Sequence, residues 1–144
     1  AWFEDERGQR AEVLRTRERC AFCVRVNVHE RLEDPLVGVN VHNAAGEHVW
    51  GANNMLLNGS GTFEPGDELT FAVRFTNLLA PDRYWASPAV ARSSGALQWH
   101  DRRTRFASVV VTSTHPSEGL VDLPFEIDVE RTRSAIDRAT EVAP

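Results

Sequence analysis

The sequence predicts an all-β fold, an immunoglobulin-like antiparallel β-sandwich, on three observations. Apolar and polar side chains alternate at period two along most of the chain, the pattern of strands with one buried and one wet face. Clusters of Gly, Pro, Asn and Asp interrupt these runs, at the spacing of roughly 8–12 residues that short sandwich strands show. Helix-like composition is confined to residues 131–140, where Arg and Asp fall on all sides. The length of 144 residues and the 42% hydrophobic and 26% charged content describe one globular domain, long enough to bury a core without disulfides. The sandwich is expected over 1–130, with 131–144 a C-terminal tail or short helix.

The elements follow in chain order. Residues 2–4 and 10–14 are short strands around the turn Asp5-Glu6-Arg7-Gly8. In 20–30, Phe22, Val24, Val26 and Val28 share one face, and Cys23, Arg25, Asn27 and His29 the other. In 36–43, Val37, Val39 and Val41 alternate with Gly38, Asn40 and His42. The turn at Ala44-Ala45-Gly46 leads into 48–53, and Met55-Leu56-Leu57 reads as a loop or a single helical turn. Pro65-Gly66-Asp67 opens the run 68–77, which sets Leu69, Phe71, Val73 and Phe75 against Thr70, Ala72, Arg74 and Thr76. Ala80-Pro81-Asp82 turns into 83–92, where Tyr84, Ala86 and Val90 point inward and Trp85, Ser87 and Ala89 outward. Ser93-Ser94-Gly95 precedes 97–100, and 105–114 follows. The last run, 119–130, alternates Val121, Leu123, Phe125, Ile127 and Val129 with Asp122, Pro124, Glu126 and Asp128. The expected core is Phe22, Val24, Val26, Val39, Val41, Phe71, Val73, Phe75, Tyr84, Phe106, Phe125 and Ile127.

Charge and composition exclude several function classes. The net charge is −5, and all 16 basic residues are Arg. An acidic domain is a poor ligand for phosphate backbones, so no nucleic-acid partner is expected. No run of about 18 apolar residues reads as a membrane span, and no basic-then-apolar leader opens the chain. Cys20 and Cys23 form a C-x-x-C, but on a strand residues three apart face opposite ways. Two inert thiols in a reducing compartment are expected, and no second ligand pair follows to complete a zinc site.

Catalytic signals are thin. Asp122, Glu126 and Asp128 share a face of the run 119–130, and paired carboxylates can hydrolyse glycosides; charges on the wet face of a sandwich strand have the same pattern. His42 and His48 flank a turn and are spaced to meet across a hairpin, but two histidines without a third ligand make no metal site. No Gly-x-Ser-x-Gly elbow or phosphate loop occurs, and the sequon Asn58-Gly59-Ser60 reads as a turn. No catalytic residue, cofactor or metal is expected. The aromatic residues say more. An outward Trp beside short polar groups suits a sugar, giving an apolar plate for its C–H face and partners for its hydroxyls. In immunoglobulin-like topologies the strands 36–43 and 83–92 are neighbours. Trp85 as the plate, with Asn40, His42 and Ser87 beside it and Trp99 and His100 arriving from the next strand or its loop, is the expected carbohydrate site. Trp85 in an edge or subunit contact is the alternative.

Four segments carry a family resemblance. Asp34-Pro35-Leu36-Val37-Gly38-Val39 followed by Asn43-Ala44-Ala45-Gly46-Glu47-His48-Val49-Trp50-Gly51-Ala52-Asn53 resembles the "dPvfGi … n-x-x-G-x-x-vfGtNt" segment of the C-terminal domain of Wzt-type ATP-binding subunits. Gly66-Asp67-Glu68 with Phe71-Ala72-Val73-Arg74-Phe75 resembles its "G-e-x-(strand)" piece, and Asn77-Leu78-Leu79-Ala80-Pro81-Asp82-Arg83-Tyr84-Trp85 its "n-L-L-x-P-G-x-Y" turn. The runs 97–111 and 119–129 resemble its closing strands, so the resemblance covers about residues 1–130. Asp82 stands where the family has Gly, a position where Asp tolerates a left-handed turn, and Ala52-Asn53-Asn54 keeps only the central Asn of "t-N-t". The resemblance implies an immunoglobulin-like domain that recognises an O-antigen-like polysaccharide for an ABC exporter, without catalysis. It also implies a homodimer formed by strand exchange, which residues 2–14 or 131–144 would supply. The nucleotide-binding domain and membrane subunit of the exporter would be its partners, on the cytoplasmic side of the inner membrane. An accessory module of a carbohydrate-active enzyme and an Ig-like protein-interaction domain are the alternatives.

Overall fold

Eleven strands are seen in a computed structural model that describes residues 1–57, 59–92, 98–115 and 117–129. They are β1 (Trp2–Glu4), β2 (Val13–Arg15), β3 (Arg19–Asn27), β4 (Leu32–Glu33), β5 (Leu36–His42), β6 (His48–Asn53), β7 (Thr62–Phe63), β8 (Glu68–Thr76), β9 (Asp82–Arg92), β10 (Gln98–Arg102) and β11 (Ala107–Thr112). One sheet has the order β1-β3-β8; the other runs β2-β11-β9-β5-β6, with β10 also on β9. Pairing is antiparallel except between β2 and β11, and β4 and β7 form a separate ribbon. The all-β sandwich read from the alternation is the observed fold. The proposed helix or tail at 131–144, the turn 93–95 and Asn58 of the sequon lie outside the described residues.

The core forms where the two inner faces meet. Phe3, Cys20, Phe22 and Val24 of the small sheet pack with Leu14, Val37, Val39, Val41, Tyr84, Ala86, Val90, Val109 and Val111 of the large one. Trp50 and Phe75 tie the layers together, with ring centroids 4.7 Å apart. Burial raises the Cys20 thiol to about 12, helped by Glu18. Burial, then the Glu4 carboxylate, raises Cys23 to about 11. Both thiols are free and buried, so neither carries thiolate character at neutral pH.

The motif Leu79-Ala80-Pro81-Asp82-Arg83-Tyr84 has a packing reason. Tyr84 is almost fully buried, and its hydroxyl donates to the Ala80 carbonyl at 2.7 Å. This is the tyrosine-corner contact of immunoglobulin-like folds. Asp82 departs from expectation: it is absent from the positive-φ residues and opens β9 instead. Its carboxylate accepts the Arg83 and Ala44 N–H groups, which joins the β5–β6 turn to the start of β9.

Three expected core residues are exposed: Phe106 by 54%, Phe125 by 69% and Ile127 by 77%. Phe106 sits in the turn before β11, where its N–H bonds the Ala86 carbonyl and its ring lines a cleft between the layers. The run 119–130, expected as a closing strand, is not one. It makes a single antiparallel bridge, Val121 to Leu79, and then extends unpaired among the described residues. Alternation prepares a face, but a strand also needs a neighbouring edge. The three carboxylates therefore share no strand face. Asp122 is buried in an ion pair with Arg17 at 2.7 Å and accepts from Ser113 Oγ, a structural clasp for the chain's exit.

Candidate glycan-binding face

β9 is the middle of the large sheet, and its side-chain alternation sets the site. Tyr84, Ala86 and Val90 fill the core, so Trp85, Ser87 and Ala89 stand on the outer face. β5 lies antiparallel beside it with His42 opposite Trp85 and Asn40 opposite Ser87. On the other side, β11 places Ser108 opposite Trp85. Directly opposed residues have Cβ atoms about 4.5–5.5 Å apart, so Trp85, His42, Asn40, Ser87 and Ser108 form one patch. Trp85 is half-buried, whereas Asn40 and Ser108 are exposed.

β6 extends the patch through a glycine. Gly51 pairs with Asn40, and a Cβ there would lie 2.9 Å from Asn40 Oδ1 and 3.3 Å from His48 Nε2. The Asn40 and His48 side chains thus lean into the space that the glycine leaves. His42 and His48 meet across the hairpin with ring centroids 5.2 Å apart. Among the described residues, no three His, Cys, Asp or Glu side chains gather as a metal site.

Two expected site residues lie elsewhere. Trp99 pairs with Ala91, six residues along β9 from Trp85 and about 20 Å away at roughly 3.3 Å per residue. His100 turns into the interlayer cleft, where its Nδ1 lies 3.2 Å from Glu30 Oε1. A bulge between Trp99 and Asp101 breaks the regular alternation of β10 at His100.

One residue of the patch escaped the sequence. Arg105 lies in the β10–β11 turn, and its guanidinium sits 4.8 Å from the Trp85 ring centroid. Its backbone N–H donates to Ser87 Oγ at 2.9 Å, and its φ is +50°. Nothing in a two-residue period announces a turn residue that folds back over a strand. The arrangement offers an indole, hydroxyls, an amide and a guanidinium on an open sheet surface, with no activated nucleophile among them. It suits reversible recognition of a polar, ring-shaped ligand.

A family model and solved structures match this chain. A family model described as "Wzt C-terminal domain" matches residues 1–123. A solved structure described as "Crystal structure of the C-terminal domain of wzt" superposes with a TM-score of 0.78 at 16% identity, covering 89% of this chain and 80% of that one. At that identity the superposition speaks for the fold. A search of curated protein sequences finds no match.

Proposed function

The chain belongs to the Wzt C-terminal domain family, and from that premise we propose that it is the non-catalytic polysaccharide-binding module of an ABC exporter subunit. Membership carries the coarser part, a role in polysaccharide export. The finer part rests on the outer face of the large sheet, where Trp85, His42 and Ser108 stand in one cross-strand row and Asn40 and Ser87 in the next. A half-buried indole flanked by short polar side chains binds a sugar ring without chemistry. A glycan array tests this reading: binding to polysaccharide fragments is expected, and silence on every glycan would overturn it and favour an Ig-like protein-interaction domain. The proposed partners are the nucleotide-binding domain and membrane subunit of the exporter, on the cytoplasmic side of the inner membrane.

Homodimerisation through strand exchange is part of the same reading, with the segment 123–129 as the proposed donor; of the stretches expected from the sequence, 2–14 is paired within this chain through β1 and β2 and 131–144 lies outside the described residues. β8 pairs only with β3 among the described residues, and the core-facing Phe71, Val73 and Phe75 stay half-buried along its open side. The Val121–Leu79 bridge is antiparallel. Continued along β8, its register sets Phe125 opposite Phe75, Ile127 opposite Val73 and Val129 opposite Phe71. The apolar faces of the two strands then coincide. In an exchanged dimer each arm takes this place on its partner's β8, which covers both the open edge and the exposed apolar row.

A further inference from the structure

We infer that the Trp85 patch selects a glycan carrying an anionic group, a carboxylate, sulfate or phosphate, and that Arg105 is the residue that reads it. The inference rests on the carbohydrate reading above and names the class of sugar. Four observations on one spot carry it. The Arg105 guanidinium lies over the Trp85 ring, 4.8 Å from its centroid, a cation–π position on the same patch from which a guanidinium can meet an anion. The stack is built by the backbone: a non-glycine residue at φ +50° is uncommon and persists where its surroundings enforce it. Here Ser87 Oγ accepts the Arg105 N–H, and the same hydroxyl keeps its proton to donate.

The third observation is charge. No carboxylate lies within ion-pair distance of Arg105 among the described residues, whereas Arg15, Arg17, Arg25, Arg31 and Arg103 each have one. The carboxylates bordering the patch are engaged elsewhere. Asp82 accepts two backbone N–H groups, and Glu47 accepts from Asn43 Nδ2 at 2.6 Å. The fourth is the neighbourhood: Arg83 stands two residues before Trp85 on β9, with no carboxylate in ion-pair distance among the described residues, and His42 and His48 border the other side. The chain as a whole is acidic, so a face with unpaired cations runs against the global charge. Guanidinium stacks also occur on Trp2 and Trp99, but Trp2 has Glu4 on its indole N–H and Trp99 lies far along β9 from this patch. Arginine pairs with carboxylate, sulfate and phosphate oxygens through parallel N–H bonds, and the hydroxyls of Ser87 and Ser108 and the amide of Asn40 remain for the sugar.

The test is an array of matched pairs, each a neutral glycan and its uronate, sulfated or phosphorylated counterpart, probed with wild type, Arg105→Gln and Arg105→Lys. Wild type is expected to prefer the acidic member of its best pair at least tenfold. Arg105→Gln should bring that preference below about twofold by lowering affinity for the acidic member, and Arg105→Lys should retain part of it. Unchanged melting curves for both variants show that the turn still folds. Comparing uronate, sulfate and phosphate hits identifies which anion is read. Equal binding of neutral and acidic members by wild type, or a preference that survives in Arg105→Gln, would overturn this inference and leave the carbohydrate reading standing. Wild type that binds no glycan would overturn the carbohydrate reading and this inference with it.

Discussion

Tyr84 is the residue where sequence, packing and stability connect most directly. Its hydroxyl satisfies the Ala80 carbonyl inside the corner that launches β9. Tyr84→Phe leaves that carbonyl without its partner, and a loss of about 1–2 kcal/mol in urea unfolding is expected. Burial raises the Tyr84 phenol to about 12, as it raises Cys20 to about 12 and Cys23 to about 11. The native state keeps protons that the unfolded chain has released, so these groups' stabilisation is complete below pH 9 and is lost as pH rises through about 9 to 12. Each group lowers stability by up to about 1.4 kcal/mol per pH unit within its window. Melting temperatures measured from pH 8 to 11 should fall steadily, and Cys20→Ala should flatten the first part of the slope; a flat wild-type profile would contradict the assignment. Gly51 shows the opposite role, open space beside the proposed site. Gly51→Ala pushes mainly on the ends of the Asn40 and His48 side chains and meets the Val39 carbonyl at 3.3 Å, so the fold should survive with a small shift of the β5–β6 pair. Glycan affinity should fall several-fold in a titration.

The strands differ in how openly the sequence declared them. β5, β8 and β9 alternate cleanly, and the inward Tyr84 and outward Trp85 followed from that period alone. The pairing of β5 with β9 followed from the immunoglobulin-like order, which is why four of the six expected site residues converge. Trp99 and His100 do not: the register of β10 sets Trp99 opposite Ala91, six residues along β9 from Trp85, and His100 falls at the bulge that follows, and neither a pairing register nor a local bulge leaves a periodic trace. Arg105 was missed for a related reason: its position depends on a positive φ in a turn. The run 119–130 shows the limit of the method. Its alternation is as regular as that of β8, yet alternation cannot say which chain supplies the neighbouring edge. Phe125→Asp with Ile127→Asp should leave the sandwich folded, because both side chains are exposed in the single chain. The same pair should abolish the dimer. Light scattering at micromolar concentration checks this: wild type at twice the chain mass and the double variant at one chain mass are expected. A monomeric wild type would reject the exchange.

At the scale of the whole molecule, the two sheets divide the work. The small sheet is left open at β8 and is completed in the proposed dimer by the arms. The large sheet is closed on its inner face by the core and presents its outer face to solvent, and the patch lies on strands that the core holds rigid from beneath. A rigid platform costs little ordering on binding, and an open one releases its ligand readily, as an exporter's cargo requires. The central claim is that Trp85 is the plate for a glycan, and calorimetric titration of wild type and Trp85→Ala with the polysaccharide that wild type binds tests it most directly. With the fold intact by circular dichroism, the variant is expected to bind at least tenfold more weakly, equivalent to about 1.4 kcal/mol or more. Equal affinities for the two proteins would contradict the account.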